Sequence, residues 1–114
     1  MDASPADIAR AAAQHLTSLD PTLPALVEAR IQSNADDEQP PQFEIALAIA
    51  IAGLVVGVAN LAWKVYWDLR SAGHEPGREV ISRQVRLEVQ LPPRVTENLR
   101  DQVISAVVDE IYRR

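Results

Sequence analysis

The chain of 114 residues contains no cysteine, which removes disulfides, thiol nucleophiles and thiolate metal sites from its chemistry. Histidine is scarce too: His15 falls beside an apolar helical stripe and is expected to pack there, and His74 lies in a Gly/Pro-rich turn expected to face water. No paired His/carboxylate spacing, nucleophile-elbow serine or glycine-rich phosphate loop is present. The expectation is a protein that is not an enzyme, with no catalytic, metal or cofactor-binding residues and no cofactor.

Excess positive charge is also missing. A net charge of −5 argues against a nucleic-acid-binding body, because backbone binding needs a basic footprint. Lysine is reduced to Lys64 while arginine and alanine are plentiful, a composition typical of a high-GC bacterial source. The segment MDASPADIAR has neither an early basic cluster nor an apolar core, so it does not read as a secretory signal.

What the chain does have is a long apolar run. Ile45 to Ala59 is uninterruptedly apolar or glycine, and from Ile45 to Trp63 only Asn60 is strongly polar. As a helix that stretch covers roughly 28 Å, close to the ~30 Å hydrocarbon core of a bilayer. Phe43 stands at one border and Trp63, Tyr66 and Trp67 at the other, as interface anchors do. Acidic residues dominate the N-terminal flank, whereas Lys64, Arg70, Arg78 and Arg83 follow the run, which predicts a single-pass membrane protein with a cytoplasmic C-terminus.

Within the run, Ala46, Ala50, Gly53, Gly57, Asn60 and Lys64 fall within about 40° of one line on a helix. Small residues at this spacing let two backbones approach, so the line is expected to be a helix-helix seam with Asn60 bonding across it and Lys64 at its polar border. Leu47, Ile51, Leu54, Val55 and Val58 gather on the opposite side, where lipid or a protein core lies. Self-association is the implied partnership.

The flanks divide as follows. Residues 1–33 hold a small N-terminal unit: a helix from Pro5 to about Ser18, capped by Ser4 and Asp7, then a segment from 22 to 33 whose Val27, Ala29 and Ile31 alternate like a strand, although a short helix also fits. Residues 34–42 are an acidic Pro-rich linker, residues 43–69 the apolar helix, and residues 70–78 a loop. Residues 79–114 read as a strand-helix module. In its strand, Ile81, Val85, Leu87, Val89 and Leu91 share one face and Arg83 is the one charge intruding on it, with Val85, Leu87, Val89 and Leu91 offered to a partner strand. An amphipathic helix from Thr96 to Tyr112 closes the chain.

The predicted class is therefore α+β: an N-terminal helix, a long central apolar helix acting as a transmembrane span, one strand and an amphipathic C-terminal helix. Such a protein self-associates in the bilayer and presents its module to another protein. A soluble, oligomeric α/β interaction domain with residues 45–69 as its buried central helix is the alternative. The order of acidic linker, apolar helix ending in LAWKVYWDLR and alternating segment VISRQVRLEV resembles the effector-associated constant component proteins of bacterial conflict systems over about residues 25 to 91. The resemblance implies a non-enzymatic accessory partner of an effector complex and carries no site residues.

Overall fold

The computed structural model describes residues 4–33 and 46–113, which form five helices: α1 (Pro5–His15), α2 (Leu23–Ser33), α3 (Ala46–Ser71), α4 (Arg78–Glu88) and α5 (Glu97–Arg113). The acidic linker and Phe43 lie outside the described residues.

The start of α1 follows from its first residues. The Ser4 hydroxyl accepts from the Asp7 amide at 3.2 Å, and the Asp7 carboxylate accepts from the Ser4 amide at 3.3 Å. This reciprocal box satisfies two otherwise orphaned donors, and Pro5 occupies the first helical position. The apolar stripe Ile8, Ala12 and Leu16 is buried, but the helix stops at His15, three residues before the expected end.

The expected strand of the C-terminal module is a helix, the segment from 22 to 33 takes its helical alternative, and no strand occurs among the described residues, so the α+β class and the strand-helix module are corrected to an all-helical fold. In α2, Leu23 and Val27 are fully buried four residues apart, and Leu26 and Ile31 pack beside them. Ala29, which the alternating pattern put inward, is exposed. The Asp20 side chain accepts from the Thr22 amide at 2.8 Å in a turn that redirects the chain into α2.

The correction in the C-terminal module has a clear cause. Ile81, Val85 and Val89 are four apart, a spacing that suits one face of a strand and nearly suits one line of a helix. The two cases differ only at the residues between them. Arg83 is exposed, and Leu87 is 76% exposed, whereas Ile81 and Val85 are fully buried. The partner-strand residues are thereby scattered: Val85 lies in the core, Val89 is half-buried, and Leu87 and Leu91 face out.

The end of α3 is set by Gly73, whose φ of 88° lies in the left-handed region open to glycine. Its amide donates to the Arg70 carbonyl at 3.1 Å and the His74 amide to the Leu69 carbonyl at 3.0 Å, consuming carbonyls that the helix leaves unpaired. At α5, the Thr96 hydroxyl accepts from the Leu99 amide at 3.1 Å. The stripe Val103, Ile104, Val107, Val108 and Ile111 is buried as its spacing predicts.

All four other helices touch α3, while α1 also packs on α2 and α5, and α4 on α5. The surface of α3 that receives them is formed by Ile51, Leu54, Val55, Val58, Ala59 and Ala62. One continuous apolar core contains residues from every helix. Near its edge, Glu110 of α5 is only 3% exposed; His15 Nε2 lies 2.9 Å from its Oε1 and Arg113 Nη1 3.5 Å away.

The helical register of α4 predicts unequal substitutions. Ile81→Ala should cost about 2–5 kcal/mol in urea unfolding, while Leu87→Ala should stay within about 0.5 kcal/mol of the parent. Equal losses at the two positions would support a shared inward face, as in a strand.

Candidate functional site

The six aligned residues of α3 lie on the side turned away from the core. Ala46, Ala50 and Gly53 are half-buried, and Gly57, Asn60 and Lys64 are exposed. Four of the opposing bulky residues, Ile51, Leu54, Val55 and Val58, fill the core, while Leu47 is 38% exposed.

The middle of the outward line is the floor of a groove of about 400 Å³. Gly53, Val56, Gly57 and Asn60 form the floor, Pro5 and Ala6 of α1 one wall, and Arg30 and Ile31 of α2 the other. The walls are joined by a fork: Arg10 Nε donates to Glu28 Oε1 at 2.7 Å and Nη2 to Oε2 at 3.1 Å. Gln32 adds a donated bond to the same carboxylate at 2.9 Å. The Arg10 bonds, followed by the Gln32 bond, draw the Glu28 carboxyl down from its ordinary value near 4.5 to about 2.

The glycines are not demanded by packing among the described residues. A Cβ built on Gly53 would meet the Arg30 guanidinium carbon at 3.7 Å, an ordinary contact, and one on Gly57 would meet nothing within 4 Å. Both have helical neighbours and neither has a positive φ. Each therefore costs about 0.8–1.0 kcal/mol relative to alanine, and at Gly57 the space so kept is left empty by the described residues.

The expected membrane anchors make protein contacts. Trp63 stacks with Tyr66 at a centroid distance of 6.2 Å, Trp67 meets both edge-on, and Tyr66 meets Tyr112 of α5 at 5.9 Å. The Arg70 guanidinium lies 5.9 Å from the Tyr66 ring centroid and 5.5 Å from that of Trp67. Burial raises the Tyr112 hydroxyl above its ordinary pKa, and that hydroxyl donates to the Pro76 carbonyl. The cluster fastens the C-terminal part of α3 to α5, although Trp67 stays 43% exposed.

His15 keeps its ring exposed and contacts Glu110 rather than sitting within the apolar stripe. Glu110 is the buried polar residue that sequence reasoning did not single out as special, and its place on the α5 stripe was the available signal. No group of three or more histidine, aspartate or glutamate side chains comes together to hold a metal among the described residues. Comparison with family models, curated proteins and solved structures finds no match in any of the three.

The α1–α2 fork predicts a pH dependence with a definite sign. Because folding depresses the Glu28 carboxyl, its contribution is present above pH 4.5 and is lost as the pH falls toward 2. Glu28→Gln should therefore flatten the acid limb of a melting-temperature profile over that window; a parallel profile would show that the fork does not couple to folding.

Proposed function

We propose that this chain is a non-enzymatic assembly module: a water-facing bundle of helices that joins a second copy through the outward line of α3. The observation carrying this proposal is Gly57, which gives up helix stability and faces space left open by the described residues. A second backbone placed against Gly57 uses that space, and displacement of the flexible Arg30 side chain extends the contact to Gly53, Ala50 and Ala46, with Asn60 offering a hydrogen bond across it.

Water-facing surroundings are supported by the outer surfaces of the other helices. The pairs Arg10–Glu28, Arg78–Asp109 and Arg86–Asp101 have exposed side chains on helices packed directly on α3. Placing α3 across a bilayer with these helices still attached would bring such charges into hydrocarbon, at about 2.5–3.5 kcal/mol for each at the centre on insertion scales.

A second proposal rests on α3 itself, which is long and apolar enough to cross a membrane, with a mean hydropathy of 2.1 over its most apolar window. In that proposal the outer helices leave α3, the chain crosses once with its C-terminus in the cytoplasm, and the same line joins spans. Resemblance to effector-associated components adds a proposed setting, with the chain as an accessory to a bacterial effector protein. The VISRQVRLEV part of that resemblance is helical here.

Light scattering across a concentration series tests the joint. The parent chain should dimerise, and Gly57→Ile should remain folded but monomeric; undiminished dimerisation would remove this surface from the proposal. Gly57→Ala should raise the monomer's stability by up to about 1 kcal/mol. Carbonate washing separates the two settings: recovery in the supernatant supports the water-facing bundle, and retention in the membrane pellet supports the span.

A further inference from the structure

Helix α4 is apolar on two sides. Ile81 and Val85 are fully buried, yet Val80 is 49% and Leu87 76% exposed, and Leu91, just past the helix end, is 39% exposed. These are three of the five large hydrophobic side chains exposed among the described residues, so uncovered apolar surface is concentrated here and away from the proposed α3 joint. On a helical wheel Val80 and Leu87 lie within about 20° of each other, about a third of a turn from the buried pair. Gln84, also exposed, falls beside them. Val80, Gln84 and Leu87 therefore form a seam with the four-three spacing of paired helices.

The charges beside this seam have opposite signs on its two flanks. In heptad terms Val80 and Leu87 take the d places and Gln84 the a place between them, which puts Arg83 at g and Glu88 at e. Arg83 is exposed and makes no ion pair among the described residues. Glu88 is exposed and accepts a bond from the Gln84 amide, and a carboxylate has capacity for further donors. Two copies of α4 laid parallel bring Arg83 of each against Glu88 of the other, because g of one helix faces e of its partner. Laid antiparallel with Val80 opposite Leu87, they set Arg83 against Arg83. The seam is thus complementary to a second copy of itself in one direction.

We infer that α4 is a second self-recognition surface, on which two copies pair parallel across a two-fold axis with Val80 and Leu87 in contact and an Arg83–Glu88 bridge on either side. The 11 residues of α4 span roughly 16 Å, short for a standard interface, so the pairing is weak when it acts alone. It shares no residue with the α3 joint and does not depend on it. Where both contacts form, two different two-fold contacts on one chain carry assembly past the dimer, into a closed ring of dihedral symmetry or an open row.

Sedimentation of the full Gly57→Ile chain, in which the α3 joint is blocked, tests the inference. A monomer–dimer equilibrium should be visible by about 1 mM protein, and adding Leu87→Ser should weaken it about tenfold. Arg83→Glu and Glu88→Arg in the same background should each weaken association, while an equal mixture of the two should associate more tightly than either alone, because the mixed pair regains both bridges. These positions are exposed, so the fold should survive each change. Val80→Cys, in a chain without other cysteine, should form a disulfide under mild oxidation; an antiparallel pair would hold the two sulfurs about 10 Å apart, beyond bonding reach. A strictly monomeric Gly57→Ile chain, or association indifferent to Leu87→Ser, would overturn the surface. A mixture no tighter than its components would overturn the charge pairing, and an associating Val80→Cys chain that stays reduced would overturn the parallel direction.

Discussion

Everything in this fold leans on one side of α3. Ile51, Leu54, Val55 and Val58 supply the bulk, while Ala52, Ala59 and Ala62 let neighbouring helices come close. Two of the surrounding helices have little apolar surface of their own: α1 buries mainly alanine around Ile8, and α4 offers Ile81 and Val85. Short helices of this kind draw their stability from tertiary packing, and α3 provides the shared surface.

The other side of α3 obeys a different constraint. It is apolar from Ala46 to Gly57 and polar from Asn60 onward, yet it has little side-chain volume until Lys64. Large exposed side chains would have covered the helix backbone; glycine leaves it approachable. The Arg10–Glu28 fork and the α2 wall frame this surface, so its shape depends on how α1 and α2 are seated. Charge is thus concentrated on the outer helices, while α3 itself lines the opening with small uncharged residues and Arg30 of α2 borders it.

Several features were legible in the sequence because local chemistry decides them. Ser4, Pro5 and Asp7 mark a helix start whatever the rest of the chain does, and the α5 stripe has enough positions to identify its period. Residues 81–91 read as a strand, and residues 27–31 stayed undecided, because their apolar residues fit period two as well as a helical line, and both segments are short. Arg83 held the contrary signal: a charge on the inward face of a strand becomes ordinary once the segment is a helix. For α3, the wheel correctly separated the small side from the bulky side, but it carries no information about what meets either. Trp63, Tyr66 and Trp67 were similarly ambiguous, since aromatics gather at membrane borders and in tertiary clusters alike. The contact between His15 and Glu110 joins positions 95 residues apart, beyond the reach of any local pattern.

That long-range closure has a consequence for the order of synthesis. A ribosome completes α3 before it makes any of α4 or α5, although both contribute cover to the bulky side of α3. For the interval in which some 25 residues between Ser71 and Glu97 are added, at the usual 5–20 residues per second for roughly one to five seconds, the chain carries an apolar helix without its full cover. In that state the helix is open to any other apolar surface it meets. The bulky side of α3 is therefore protected only once α5 arrives, so the rate of synthesis sets how long the apolar surface stays uncovered.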